Sequence, residues 1–108
     1  MAEKLLQVNF ALNVSPAQYE QIASAVCESF AQVPGLKWKV WFINEQQREA
    51  GGIYLFEDQD ALDAFAASDL ARTVSTHPAL RSVTMRASDV MAHPSVVTRA
   101  PIGAAVHV

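Results

Sequence analysis

The sequence predicts an α+β fold: an antiparallel four-stranded sheet with helices on one face. Three observations carry this. Four segments show strand-like alternation or aromatic and β-branched runs, two helical stretches open on capping residues, and the elements interleave as β-α-β-β-α-β. At 108 residues the chain has material for one hydrophobic core and excludes two.

Residues 4–13 alternate, with Leu6, Val8, Phe10 and Leu12 on one side and Leu5, Gln7, Asn9 and Ala11 on the other, which makes the first strand. Ser15-Pro16-Ala17-Gln18 then offers an N-cap serine, a proline at the first helical position and a glutamine at the third. Val14 and Tyr19 are spaced as a hydrophobic staple. The stripe Tyr19, Ile22, Ala23, Val26, Phe30, Val33 gives this helix one apolar side, and Pro34-Gly35 stops it.

Residues 36–45 and 49–57 are aromatic and β-branched runs separated by Gln46, Gln47 and Arg48, the pattern of a hairpin. Asp58 can cap a short helix carrying Ala61, Leu62 and Phe65, and Ser68 a second carrying Leu70 and Val74, so two short helices or one broken helix are expected. Residues 80–91 alternate again as the fourth strand, with Val83, Met85 and Ala87 opposed to Ser82, Thr84 and Arg86. The tail from about 94 to 108 is apolar without a period and is expected to dock against a neighbour, a partner subunit being one candidate. With right-handed crossovers this order is the ferredoxin-like plan.

A hairpin turn of two or four residues places Trp38, Val40 and Phe42 with Gly51, Ile53 and Leu55, and Lys39, Trp41 and Ile43 with Ala50, Gly52, Tyr54 and Phe56. The first set is expected to join Leu6, Val8 and Phe10 under the helices. The second set, with Gln7, Asn9, Thr84 and Arg86, is then left as an aromatic outer face. Trp41, Ile43, Tyr54 and Phe56 would expose a patch of several hundred Å², roughly the size that marks an interface or cleft. A second copy of the chain is expected to cover it. The result would be a homodimeric α/β barrel with an aromatic-walled pocket.

Composition narrows the partners. Hydrophobic residues are 51% and charged residues 18%, which excludes disorder, and the net charge of −3 offers no broad basic surface to nucleic acid. AGGIYLF falls on the third strand, where RNA-binding sheets of the same order keep their aromatics, but it lacks flanking Lys or Arg. No run reaches membrane-spanning length, no secretion signal is visible, and Cys27 is the single cysteine, so a cytoplasmic protein without disulfide or zinc site is expected.

Trp38-Lys-Val-Trp41 followed by Glu49-Ala-Gly-Gly-Ile-Tyr-Leu-Phe56 resembles the YdhR-type monooxygenase family of the dimeric α/β-barrel superfamily. The similarity extends through Leu5-Leu-Gln-Val-Asn-Phe10 and the Asp89-Val90 segment, with Ser95 and Thr98-Arg-Ala-Pro101 beyond it. The resemblance implies a homodimer with one pocket per subunit. It also implies oxygenation of a small aromatic or quinol-like substrate by molecular oxygen, without metal, haem or flavin.

Such chemistry needs an aromatic anion held in a dry pocket beside a donor and a base. Candidate substrate-binding residues are Asn9, Lys39, Trp41, Tyr54 and Arg86: rings for walls, cations for the anion, an amide for a carbonyl or peroxide oxygen. The rings and cations have structural counter-readings: interface packing for the rings, solvent or a carboxylate such as Glu49 for Lys39, and an interface carboxylate for Arg86. No catalytic base is identified. His77 and His93, each before proline, read as turn residues, His93 being the one worth testing, and Cys27 reads as structural. The competing function is a non-catalytic small-molecule binder on the same scaffold.

Overall fold

The computed structural model describes residues 2–103. Its elements are β1 (Lys4–Leu12), α1 (Pro16–Ala31), β2 (Leu36–Asn44), β3 (Glu49–Phe56), α2 (Gln59–Ala66), α3 (Asp69–Thr76), β4 (Leu80–Asp89) and α4 (Ala92–Val97). The strands form an antiparallel sheet in the order β2-β3-β1-β4, the ferredoxin-like arrangement.

Local chemistry sets the boundaries. At the start of α1 the Ser15 hydroxyl accepts from the Gln18 N–H at 3.2 Å, and the Gln18 carboxamide oxygen accepts from the Ser15 N–H at 3.0 Å. That reciprocal cap satisfies two otherwise orphaned donors. After α1, Gly35 turns the chain into β2 at φ +78°, where a side chain would collide with Ala61 of α2. Asp58 caps α2 by accepting from the Ala61 N–H, and Ser68 caps α3 by accepting from the Ala71 N–H.

Two features depart from the sequence pattern. The pairing of β1 with β4 shifts between Asn9 and Ala11, with Ser82 at φ +56°, so the strand bulges there. The tail forms a short helix, α4, then returns to its own chain. The Trp38 indole donates to the Pro101 carbonyl at 2.7 Å, Ile102 is buried, and the Gly103 N–H donates to the Glu3 carboxylate at 3.0 Å. Residues 104–108, including His107, lie outside the described residues.

The hairpin pairs as the four-residue turn predicts: Phe42 opposite Gly51, Val40 opposite Ile53, Trp41 opposite Gly52 and Lys39 opposite Tyr54. Its orientation on the rest of the sheet is the reverse of the expectation. Leu6 pairs with Tyr54, Val8 with Gly52 and Phe10 with Ala50, so Lys39, Trp41, Tyr54 and Phe56 lie under the helices. Trp38, Val40, Phe42, Ile53 and Leu55 share the outer face with Gln7, Asn9, Thr84 and Arg86. The expected aromatic underside built on Tyr54 and Phe56 is thereby overturned: they are 2% and 0% exposed.

The physical reason is that the turn fixes only the β2–β3 register. The β1–β3 register is a long-range pairing, and the hairpin is apolar on both sides, so hydropathy alone does not choose which side meets β1. The core forms where Leu6, Val8, Phe10, Tyr54 and Phe56 meet Tyr19 and Phe30 of α1 and Leu62 and Phe65 of α2. Phe65 stands 5.2 Å from the Tyr54 ring and 5.5 Å from the Phe56 ring.

Candidate active site

Between the covered face of the sheet and helices α1 and α3 lies a cavity of about 70 Å³. Phe30, Lys39, Trp41, Gly52, Tyr54 and His77 are among its walls. It approaches the surface beside Val26 and Thr73, both exposed. An apolar void of about 150 Å³ takes up benzene, so an aromatic ring enters here only as the walls move. Helix α1 is suited to that, since Tyr19 and Phe30 are the buried residues among its sixteen.

Aromatic rings surround a single amine. Lys39 Nζ lies 3.4 Å from the Trp41 ring centroid, 3.6 Å from that of Phe30 and 4.5 Å from that of Tyr54. Phe30 meets Trp41 edge-on, with centroids 5.1 Å apart. Burial pulls the Lys39 amine from its ordinary 10.5 down to about 7, against the attraction of the ring faces for its cation. Glu49, the carboxylate considered for it, stands at the hairpin turn opposite Asn44.

Gly52 makes this inward position possible. A Cβ there would come within 2.6 Å of Lys39 Cε, so the missing side chain is the space that the lysine stem occupies. The β2–β3 register is regular through Gly51-Gly52, so the glycines mark close approach rather than a bulge.

Two phenols, Tyr19 and Tyr54, also line the cavity. Among the described residues neither the Tyr19 nor the Tyr54 hydroxyl has a hydrogen-bond partner, yet no buried side-chain oxygen is left orphaned. Their oxygens therefore keep some accessible surface, and both residues line the cavity. Burial raises both phenols above their usual range, and for Tyr54 the neighbouring Tyr19 adds to the rise. Both stay protonated donors at neutral pH.

Of the five candidates, the structure brings Lys39, Trp41 and Tyr54 together and separates Asn9 and Arg86 from them. Asn9 and Arg86 project from the other side of the sheet, opposite Gly51 and Gln7. Sequence reasoning missed His77, which lines the cavity and accepts the Ala79 N–H on Nδ1 at 3.0 Å. Its signal was position: the residue ending α3 must return the chain to β4 at the edge of the covered face. His93 is exposed on α4. Among the described residues no cluster of three or more His, Cys, Asp or Glu is placed to hold a metal ion, and no helix is long and apolar enough to cross a membrane.

The family model described as "Putative mono-oxygenase ydhR" matches residues 5–101. The chain belongs to this family. The YdhR assignment agrees with the likeness to solved structures. SnoaB, a cofactor-independent oxygenase from Streptomyces nogalater, superposes with a TM-score of 0.63 at 19% identity, over 85% of this chain and 94% of that one. A monooxygenase from the ActVA-Orf6 gene of Streptomyces coelicolor, in complex with nanaomycin D, gives 0.63 at 17%, over 82% and 88%. The NE2512 protein of unknown function from Nitrosomonas europaea gives 0.71 at 14%, over 85% and 92%. At such identities the likeness establishes a shared fold. Comparison with curated proteins yields no match.

Proposed function

We propose that this YdhR-family chain is a monooxygenase that oxidises a small aromatic or quinol-like substrate with molecular oxygen, without metal, haem or flavin, in the cavity under α1 and α3. The observation that carries the reading is the set of rings from Phe30, Trp41 and Tyr54 closed around one amine. The oxygenase and monooxygenase named among the structures of this fold support it.

For an anthrone-type methylene the chemistry balances without a further reductant. The substrate loses a proton, and its anion passes one electron to O2. The two radicals combine to form a C–O bond, and the protonated hydroperoxide loses water to leave a ketone. One oxygen atom ends in the product and one in water. The protein's part is to hold the anion in a water-poor site and to present donors to the developing peroxide. Tyr19 and Tyr54 suit the second task.

The same reading seats a second copy on the outer face, where Val40 is 53% exposed beside half-buried Phe42 and Ile53. Oxygen uptake by metal-stripped protein with quinol and anthrone-like substrates tests the function. Consumption that falls about tenfold or more in Trp41→Ala and several-fold in Tyr54→Phe is expected. Stoichiometric binding without consumption favours the alternative, a small-molecule binder on this scaffold.

A further inference from the structure

Lys39 sits on β2, an edge strand, where a lysine has an easy route to water, yet its ammonium turns inward. Among the Lys, Arg, Asp and Glu residues described, it is the one in the cavity wall. The ion pairs of the described residues are Lys4 with Asp89, Lys37 with Glu3 and Arg72 with Asp69, so no carboxylate holds Lys39. Gly52 keeps its path clear. An unpaired amine flanked by rings and lining a cavity lacks a counter-charge, and a ligand can supply one.

We propose that the Lys39 amine takes the proton of an acidic hydroxyl on an aromatic ligand, so that the cavity selects phenol- or enol-bearing rings and holds them as anions. The ligand O–H bond breaks, an N–H bond forms, and the resulting ammonium pairs with the oxyanion; no electrons change hands. The proposal rests on the reading of this cavity as the substrate site and gives that reading its missing base.

The surrounding groups are consistent with this assignment. Burial brings the amine to about 7, so an unprotonated fraction is present at neutral pH. Tyr19 from α1 and Tyr54 from β3 remain protonated and donate to the oxyanion. His77, after α3, already accepts the Ala79 N–H on one nitrogen. Cys27 of α1 and Lys37 of β2 lie along the neighbouring groove, with Lys37 paired to Glu3, and Glu20 lines the groove on the far side of Trp41.

The test titrates the full-length protein with a nitrophenol, whose neutral and anionic forms absorb at different wavelengths. Wild type is expected to bind a nitrophenol less acidic than the Lys39 ammonium as its phenolate at a pH just above 7, where the free phenol is neutral and the amine largely unprotonated. Lys39→Met is expected to lose the phenolate band and bind about tenfold or more weakly, while His93→Asn, exposed on α4 and outside the cavity, keeps it. In wild type, the Lys39 Cε resonance should move to its ammonium position on binding, which needs no variant to fold. A phenolate band that survives Lys39→Met, one abolished by His93→Asn, a resonance that does not move, or the absence of phenolate binding by wild type overturns the proposal.

Oxygen uptake with an anthrone, run in parallel, separates the two readings. A Lys39-dependent phenolate without uptake sinks the monooxygenase and leaves the base. Uptake at neutral pH unchanged in Lys39→Met sinks the base and leaves the monooxygenase.

Discussion

The two faces of the sheet use the same hairpin in opposite ways. The covered face packs Tyr54, Phe56 and Trp41 beneath helices and takes in a cation, Lys39, while the outer face spreads Val40, Phe42 and Ile53 among Gln7, Asn9, Thr84 and Arg86. Intuition about polarity would have assigned them the other way, with the lysine in water. The difference teaches that a cation can belong to an aromatic interior when a glycine opposite leaves room for its stem and ring faces receive its charge.

Core truncation should separate the faces most sharply. Phe56→Ala removes a fully buried ring in contact with Tyr54 and Phe65, and a loss of about 3–5 kcal/mol is expected in denaturant unfolding. Phe42→Ala, on the half-buried outer face, should cost the separated protomer about 1 kcal/mol. Equal losses would mean that the outer face is as tightly packed as the core.

Charge placed on the outer face comes next. Val40→Asp combined with Phe42→Asp should leave the far-UV spectrum unchanged and shift sedimentation from dimer to monomer, because burying two unpaired carboxylates at an interface costs several kcal/mol. A wild type that already sediments as a monomer would remove the second copy from the reading.

Most of the fold was legible in the sequence because its determinants are local. The Ser15–Gln18 cap, the caps Asp58 and Ser68, and the four-residue turn between Asn44 and Glu49 each act within a few residues, and each formed as its pattern predicts. The site was legible only in part. Trp41, Tyr54 and Lys39 were picked for their chemistry, but which face they occupy depends on Leu6 pairing with Tyr54 across more than forty residues, and no turn encodes that. His77 was passed over for the same reason: its neighbours in the chain are a turn, while its neighbours in space are a cavity.

Stability against pH sharpens the contrast at the lysine itself. With a folded value near 7, below the ordinary 10.5, the unfolded chain binds more protons than the folded one between those limits. Wild-type stability should therefore rise with pH across that window relative to Lys39→Met. The variant should be the more stable protein below about pH 7, with its advantage fading as pH approaches 10.5, measured by denaturant unfolding at a series of pH values. A constant difference would place the amine in water.

The smallest effects are expected from Asn9→Ala and Arg86→Ala. Both side chains lie across the sheet from the cavity, Asn9 opposite Gly51 and Arg86 opposite Gln7, and the β1 and β3 backbones stand between them and Lys39. A strand admits no side-chain contact through its own plane, so oxygen uptake should stay within about twofold of wild type in either variant. Under the proposed pairing of outer faces, any effect of these residues should follow protein concentration. If either substitution instead removes turnover at concentrations where the dimer is intact, the reacting ring sits between the two outer faces, and the cavity under α1 serves only to seat the lysine.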